Sequence, residues 1–219
     1  TFGEGCYFAG YDVALPTEYA YKSKSEGGIW EEGDLRRDES IRYDFTYLGI
    51  TPTEVSWGAD ELDPHIKKYE DERTDQFNGN LANEWYSGKN FIVLRYADVL
   101  LCYAECLNEL GETGQANTIV NQVRARAWGG TLPNEMAWNY GQDEFRTQIM
   151  NERIRELCFE GWRRMDLIRT GKFVELIKER NSWAKKSGTI KDFHMRYPIP
   201  DTEIKNNDDI SEEDQNPGY

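Results

Sequence analysis

Three glutamates alternate with arginines in the segment ERIRELCFEGWRR, a pattern that resembles a catalytic acid pair. Glycoside hydrolases place two carboxylates beside the bond that they cleave. Here Glu152, Glu156 and Glu160 each have an arginine three or four residues away along a predicted helix. A carboxylate that is paired with a cation stays ionised, which is the wrong state for a general acid. The spacing therefore predicts a structural network of ion pairs.

The sequence lacks the residues that a hydrolase triad or a metal site would need. The two histidines, His65 and His194, are far apart and accompany no serine or cysteine elbow. Cys102 and Cys106 lie one helical turn apart, but a zinc site needs two further ligands. We interpret both cysteines as small apolar residues on a buried helix. The acidic runs lack the spacing of a calcium loop, so no metal, no cofactor and no enzyme activity are predicted.

The chain is rich in aromatic side chains for a polar protein. It has seven tryptophans and thirteen tyrosines, although its mean hydropathy is low. Rings on loops can stack on the apolar faces of sugars while short polar side chains bind the hydroxyl groups. The alternative for each ring is a packing role in the core or between helices. The candidate ligand-binding residues on predicted loops are Tyr7, Phe8, Tyr11, Trp30 and Trp57.

Charge excludes two classes of partner. The 219 residues include 26 lysines and arginines against 40 aspartates and glutamates, so the net charge is −14. Nucleic acid and anionic membrane surfaces both attract concentrated positive charge, and neither is an expected partner. No apolar run approaches the roughly 20 residues of a membrane helix. The chain begins at Thr1 without a secretory signal, so we expect a processed protein or a piece of a longer one.

The clearest periodic segment is 91–127, which predicts two amphipathic helices joined by a turn. Gly111 ends the first helix, and Thr113 is a plausible N-cap of the second. Small residues at the contact are typical of a tetratricopeptide-type unit, which needs further helices to cover it. The predicted buried face of the first helix consists of Val93, Leu94, Ala97, Leu100, Leu101, Ala104 and Leu107. The second face consists of Ala116, Val120, Val123 and Ala127.

The rest of the chain divides at residue 90. Residues 1–90 are predicted to be irregular and loop-rich with a probable ligand surface, apart from a short helix entered through Pro16 and Thr17 and a strand in IRYDFTYLGI. Residues 91–219 form a helical region with a break near Gly161. The predicted fold is mainly α, a tetratricopeptide-like helical scaffold with long ligand-bearing loops and a few short strands.

Several long motifs carry a resemblance to a known family. The segments LRYADVLLCYAECLNELG, NQVRARA, ERIRELCFEGWRRMDLIRTGKF, YPIPDTEI and QNPGY occur in this order. Together with DLRRDESI upstream, they resemble the C-terminal half of the SusD/RagB family of outer-membrane nutrient-binding lipoproteins. Motifs of this length are far more specific than a lone glycine fingerprint.

The resemblance implies a non-enzymatic protein on the surface of the Gram-negative outer membrane. Members of this family capture glycans, or peptides in some branches, and pass them to a SusC-like TonB-dependent transporter during polysaccharide utilisation and nutrient uptake. The lipidated cysteine would lie in an N-terminal part outside this chain, because Cys6 follows Gly-Glu-Gly and not an apolar signal segment. Membrane attachment is expected only through that lipid.

The expected function is therefore capture of an oligosaccharide without catalysis. Ligand-contacting rings in the family often precede the LRYAD helix, which favours the rings of the first sixty residues over Trp128, Trp138 and Trp162. Two alternatives remain open. One is a helical-repeat module whose main partner is another protein, and the other is a peptide-capturing member of the same family.

Overall fold

A computed structural model of the chain describes residues 14–43, 63–69 and 89–219. Within these ranges the protein is mainly α-helical, as the sequence predicts. Two short strands, β1 (Ile41–Arg42) and β2 (His65–Ile66), pair antiparallel with Ile41 opposite Ile66. The helices of the described ranges are α1 (Glu18–Tyr21), α2 (Arg36–Ser40), α3 (Tyr96–Glu109), α4 (Thr113–Ala127), α5 (Gln142–Glu156), α6 (Arg163–Arg169), α7 (Phe173–Arg180), α8 (Ser182–Ser187) and α9 (Asp201–Asn206).

The chain forms two compact units, Thr1–Arg163 and Arg164–Tyr219. This boundary is not the one placed at residue 90 from the sequence. The sequence boundary separates a probable ligand surface from a helical region, and that division stays a prediction.

The first described helix forms where the sequence places it. The hydroxyl of Thr17 accepts a hydrogen bond from the backbone N–H of Ala20 at 3.3 Å, which satisfies one of the free donors at the start of α1. Of the strand predicted in IRYDFTYLGI, the structure shows Ile41 and Arg42 as β1, and residues 44–50 lie outside the described ranges.

Helices α3 and α4 form the predicted hairpin. Gly111 follows α3 with φ of +83°, a backbone conformation that glycine adopts without steric cost. The N-cap of α4 is Glu112 and not Thr113, whose hydroxyl donates to Asn108 on α3 at 2.9 Å. The predicted inner face of α4 is fully buried, and α3 buries Leu101, Ala104 and Leu107 against it.

The core of the first unit lies where α3, α4 and α5 pack together. Phe145 on α5 is completely buried, and its ring meets that of Trp138 edge-on at a centroid distance of 5.6 Å. Aromatic pairs favour such edge-to-face contacts. The buried members of this core are Leu101, Ala104, Leu107, Ala116, Val120, Val123, Trp138, Phe145 and Ile149.

The prediction that α3 is buried on most sides is wrong. Val93 and Leu94 are exposed because the helix begins only at Tyr96, so neither belongs to the helical face. Cys102 and Cys106 are also exposed and do not act as small core residues. The outer face of α3 instead carries an exposed apolar stripe with three- and four-residue spacing, formed by Tyr96, Val99, Tyr103, Cys106 and Leu110.

The predicted break after α5 is confirmed. Gly161 has φ of +86°, and Phe159 is the one non-glycine residue of the described ranges with a positive φ, at +62°. Such a conformation is uncommon for a bulky side chain and marks a constrained turn.

The second unit is built from α6–α9 and the C-terminal segment. The guanidinium of Arg164 lies between the rings of Phe173 and Tyr197, 4.7 Å and 4.3 Å from their centroids. Arginine commonly packs on aromatic faces in this way. Among the described residues, no helix has both the length and the apolar character needed to cross a membrane.

Candidate functional site

A buried carboxylate, Glu152 on α5, is surrounded by three arginines. Its oxygens lie 2.7 Å from Arg36 Nη1, 3.0 Å from Arg124 Nη1 and 2.7 Å from Arg155 Nη2. Glu152 itself is 0 % exposed. An ionised group in such a position is stable only when it is paired and hydrogen-bonded, and here every contact is with a cation.

The next turn of α5 repeats this arrangement. Glu156 accepts from Arg36 Nη1 at 2.8 Å, and it also pairs with Arg95 and Arg126. Beyond the helix, Glu160 accepts from Arg95 Nε at 2.8 Å and from Lys68. The three carboxylates are therefore linked to one another through shared cations.

The arginines keep Glu152 and Glu156 ionised. Burial acts to raise the pKa of Glu152, but the charges of Arg36, Arg155 and Arg124 outweigh it and hold the pKa below that of an ordinary glutamate. The pKa of Glu156 is lowered for the same reason, with burial opposed by Arg36 and Arg95. The predicted network of ion pairs is confirmed by the contacts of all three glutamates.

Most partners of the network come from distant motifs, which the sequence analysis missed. Arg155 is the only predicted local partner that contacts Glu152 in the described structure. Arg153 instead pairs with Asp98 on α3 at 2.8 Å. The family motifs in the sequence indicate these partners, because each motif contains an arginine that pairs with Glu152 or Glu156. DLRRDESI contains Arg36, LRYAD contains Arg95, and NQVRARA contains Arg124.

Arg124 connects this network to an open cleft in the first unit. Its Nη2 lies 2.6 Å from Glu31, and the same nitrogen donates to the carbonyl of Met136 at 2.8 Å. The guanidinium also lies over the rings of Trp128 and Trp138. Since Glu31 and Met136 belong to two different loops, Arg124 fixes both loops to α4.

The cleft lies between these loops and has a volume of about 360 Å³. This is within the size range of about 300–1,000 Å³ that is common for small-ligand sites. Its first wall is formed by Ser23, Lys24, Ser25, Glu31 and Glu32. Its second wall is formed by Glu135, Met136, Ala137 and Tyr140, with Arg124 between the walls.

The first wall is fixed by hydrogen bonds of a tight turn. Ser23 accepts from the backbone N–H of Glu26 in a 3₁₀ turn, and the Glu26 carboxylate accepts from the backbone N–H of Ser23 at 3.1 Å. The backbone N–H of Lys24 donates to the carbonyl of Trp30 at 2.6 Å. Gly28 is required in this turn, because a Cβ there would lie 2.0 Å from the carbonyl oxygen of Lys22.

The second wall is held by two asparagines of α4. Asn117 donates to the carbonyl of Tyr140 at 2.9 Å and accepts from its N–H at 3.2 Å. One turn later, Asn121 makes the same pair of bonds with Trp138, at 3.0 Å and 2.7 Å. Each asparagine side chain bonds to both the N–H and the C=O of one loop residue, as a neighbouring β-strand would. The two side chains therefore hold the backbone of residues 138–140 against α4.

Tyr140 supplies the ring of the cleft. Burial and then the charge of Glu31 raise the pKa of its hydroxyl, which therefore stays protonated and able to donate at neutral pH. No described residue forms a hydrogen bond with this hydroxyl. The cleft thus combines a half-buried aromatic side chain with serine hydroxyls and carboxylates, a set that suits a ligand rich in hydroxyl groups.

The predicted ring residues are placed differently from this cleft. Trp30 is 1 % exposed, and its Nε1–H donates to the carbonyl of Ala20 at 2.5 Å. Both ring faces are covered by protein, so this placement does not support stacking by Trp30. Tyr7, Phe8, Tyr11 and Trp57 lie outside the described residues, and their ligand-binding role stays a prediction.

Tyr140 was missed because it lies in the loop between α4 and α5, which has no periodicity. Its contacts depend on Asn117 and Asn121, whose four-residue spacing on α4 is a polar interruption of an otherwise apolar face. Two asparagines one turn apart beside a buried apolar face indicate that a loop is hydrogen-bonded to that side of the helix.

Comparisons with known proteins agree with the motifs. The family model described as the SusD family matches residues 15–219. SusD-like protein P2 of Formosa agariphila is 31% identical over 97% of this chain, which spans 41% of that relative. The starch-binding protein SusD of Bacteroides thetaiotaomicron is 28% identical over 95% of this chain, which spans 37% of that protein.

A solved structure supports the same assignment. The crystal structure of a SusD homologue from Bacteroides thetaiotaomicron aligns with 85% of this chain and 41% of its own, with a TM-score of 0.66 and 26% sequence identity. The chain thus spans about two fifths of the relatives it matches. From the family match, the shared motifs and the helical fold together, we conclude that this chain belongs to the SusD family.

Proposed function

We propose that this chain is part of a non-catalytic glycan-binding protein, and that the cleft beside Tyr140 holds a portion of the oligosaccharide. The observation that carries the proposal is the position of Tyr140, which lines a polar cleft whose walls are fixed by Arg124, Asn117 and Asn121. A relative of this chain is named a starch-binding protein, which supports the same class of ligand.

The chemistry of the cleft fits capture better than turnover. Sugars are bound by a combination of an aromatic side chain and short polar groups. Glu31, the carboxylate closest to the buried network, is paired with Arg124 at 2.6 Å and lies 3.5 Å from Arg155. These ion pairs make Glu31 part of the support of the cleft wall, which suits binding of a ligand more than reaction with it.

Further stacking faces are proposed to come from Tyr7, Phe8, Tyr11 and Trp57, which lie on predicted loops. Transfer of the glycan to a SusC-like TonB-dependent transporter, and a surface position on the outer membrane through an N-terminal lipid, are proposed from the family resemblance.

A second candidate function is a helical-repeat module that binds another protein. The exposed apolar stripe on α3 favours it, because contiguous apolar surface on a polar chain is typical of interaction sites. The two functions use different surfaces. Glycan binding would use the cleft, and protein binding would use the outer face of α3.

Affinity electrophoresis in gels that contain neutral polysaccharides tests the proposal on the purified protein. We expect retardation in at least one gel, and no release of reducing sugar when the same polysaccharide is incubated with the protein. Release of reducing sugar would overturn the non-catalytic proposal. Absence of retardation in every gel would favour the second function.

A further inference from the structure

The charged side chains that line the cleft determine whether it can bind neutral or anionic glycans. The one arginine of the lining, Arg124, is 1 % exposed, and it is paired with Glu31 at 2.6 Å and with Glu152 at 3.0 Å. Both of its charged contacts are carboxylates of the protein. It therefore has no net positive charge to offer to a ligand.

The outer part of the cleft is acidic. Glu32 and Glu135 are exposed there, and neither forms an ion pair with any residue in the described ranges. Lys24 is the single exposed cation of the lining. The exposed part of the lining therefore has two negative charges and one positive charge. The whole chain carries a net charge of −14. Both local and long-range fields repel an anion.

Recognition of anionic sugars needs the opposite arrangement. Carboxylate and sulfate groups on ligands are bound by arginines or by clusters of backbone N–H groups, often with bidentate geometry. The described lining offers serine hydroxyls, carboxylates and the Tyr140 hydroxyl, which suit uncharged hydroxyl groups.

We infer that the cleft selects uncharged oligosaccharides and excludes those that carry uronate or sulfate groups. This inference rests on the proposed glycan-binding function. It concerns the charge of the ligand and not the identity of its sugars.

Matched pairs of polysaccharides test the inference. Affinity electrophoresis would compare soluble starch, galactomannan and xylan with the carboxymethylated derivative of each, in low salt. For each neutral polysaccharide that retards the protein, we expect its carboxymethylated form to bind at least about tenfold more weakly. Adding 0.5 M salt should narrow this difference, because repulsion between exposed charges is screened.

Charge variants then locate the effect. The double variant Glu32→Gln with Glu135→Gln should narrow the ratio between the affinities for the neutral and the carboxymethylated polymer by about twofold to threefold per carboxylate removed. The control is Glu39→Gln with Glu112→Gln, which makes the same change in charge at two exposed positions that do not line the cleft.

The possible results distinguish failure of the charge selectivity from failure of glycan binding itself. Equal binding of neutral and carboxymethylated polymers, with both lost in Tyr140→Ala, would overturn the inference and leave glycan binding at the cleft intact. An equal narrowing of the ratio by the cleft variant and its control would also overturn it, since net charge alone would then be responsible. Failure of every polymer to bind would remove the proposed function, and the inference with it.

Discussion

Arg124 Nη2 and Glu31 Oε2 lie 2.6 Å apart and join the buried charge network of α5 to the wall of an open cleft. The same guanidinium contacts Glu152 at 3.0 Å, so one side chain connects a structural element and a candidate binding surface. The geometry of the cleft therefore depends on the ion pairs of the buried network.

Removal of Arg124 is expected to destabilise the fold strongly. Arg124→Met leaves part of the charge on the fully buried Glu152 uncompensated, and breaking a buried ion pair in this way costs about 3–5 kcal/mol. Urea denaturation monitored by circular dichroism would measure the change in the free energy of unfolding. The matched control is Arg146→Met, whose ion pairs with Glu109 and Asp143 are solvent-exposed and are expected to contribute less than about 1 kcal/mol. Similar losses in the two variants would contradict the structural role of Arg124.

Stability is expected to fall in mild acid because of the same network. The folded-state pKa values of Glu152 and Glu156 are lowered, while the unfolded value is about 4.3. A group with a lowered folded pKa stabilises the native state above its unfolded pKa and loses this contribution as the pH falls through the folded pKa. The free energy of unfolding should therefore decrease progressively below about pH 5.

Denaturation at a series of pH values checks this sign. Glu152→Gln should be less stable than the parent at pH 7, because Arg36, Arg124 and Arg155 lose a shared carboxylate. Its stability should also depend less steeply on pH below pH 5, since one titrating group is gone. An unchanged slope in the variant would show that other carboxylates dominate acid unfolding.

Asn117 is expected to act on binding through Tyr140. Asn117→Ala removes the two hydrogen bonds to the backbone of Tyr140 and should cost about 1–3 kcal/mol of stability. The freed loop should also weaken glycan binding, although Asn117 does not line the cleft. Thr118→Ala, an exposed neighbour on α4, is the control and should leave affinity unchanged. Isothermal titration of each variant, after thermal melting has shown that it is folded, measures both effects.

The cysteines should differ in reactivity. Cys158 is buried, and burial raises the pKa of its thiol to about 12, so very little thiolate is present near neutral pH. Cys102 and Cys106 are exposed, and partial burial raises the pKa of Cys102. Among these three cysteines, brief alkylation at pH 8 followed by peptide mass spectrometry should label Cys106 first, Cys102 more slowly and Cys158 only after denaturation. Early labelling of Cys158 would contradict its place in the core.

Local patterns in the sequence were enough to predict the helical framework. The three- and four-residue spacing of Ala116, Val120 and Val123 defines the buried face of α4. Gly111 follows the end of α3, and Gly161 lies in the break between α5 and α6. These features depend on near neighbours along the chain, so periodicity and backbone preference are sufficient to find them.

Long-range pairing was not predictable in the same way. The sequence predicts the local partner of Glu152, Arg155, but not its other two partners, Arg36 and Arg124, which are 116 and 28 residues away. The packing of Trp30 was missed for a related reason, since its burial depends on contacts with Ile41 and Cys158. Which loops enclose the cleft likewise depends on tertiary contacts that have no local pattern.

The most direct test of glycan capture at the cleft is isothermal titration of a polysaccharide that retards the protein, carried out with the parent protein, Tyr140→Ala and Tyr103→Ala. Tyr103 is the matched control, because it is an exposed tyrosine on α3 that does not line the cleft. The expected result is saturable binding that weakens by about tenfold or more in Tyr140→Ala and is unchanged in Tyr103→Ala. Binding that is unaffected by Tyr140→Ala in a folded variant would contradict the assignment of the cleft as the glycan site.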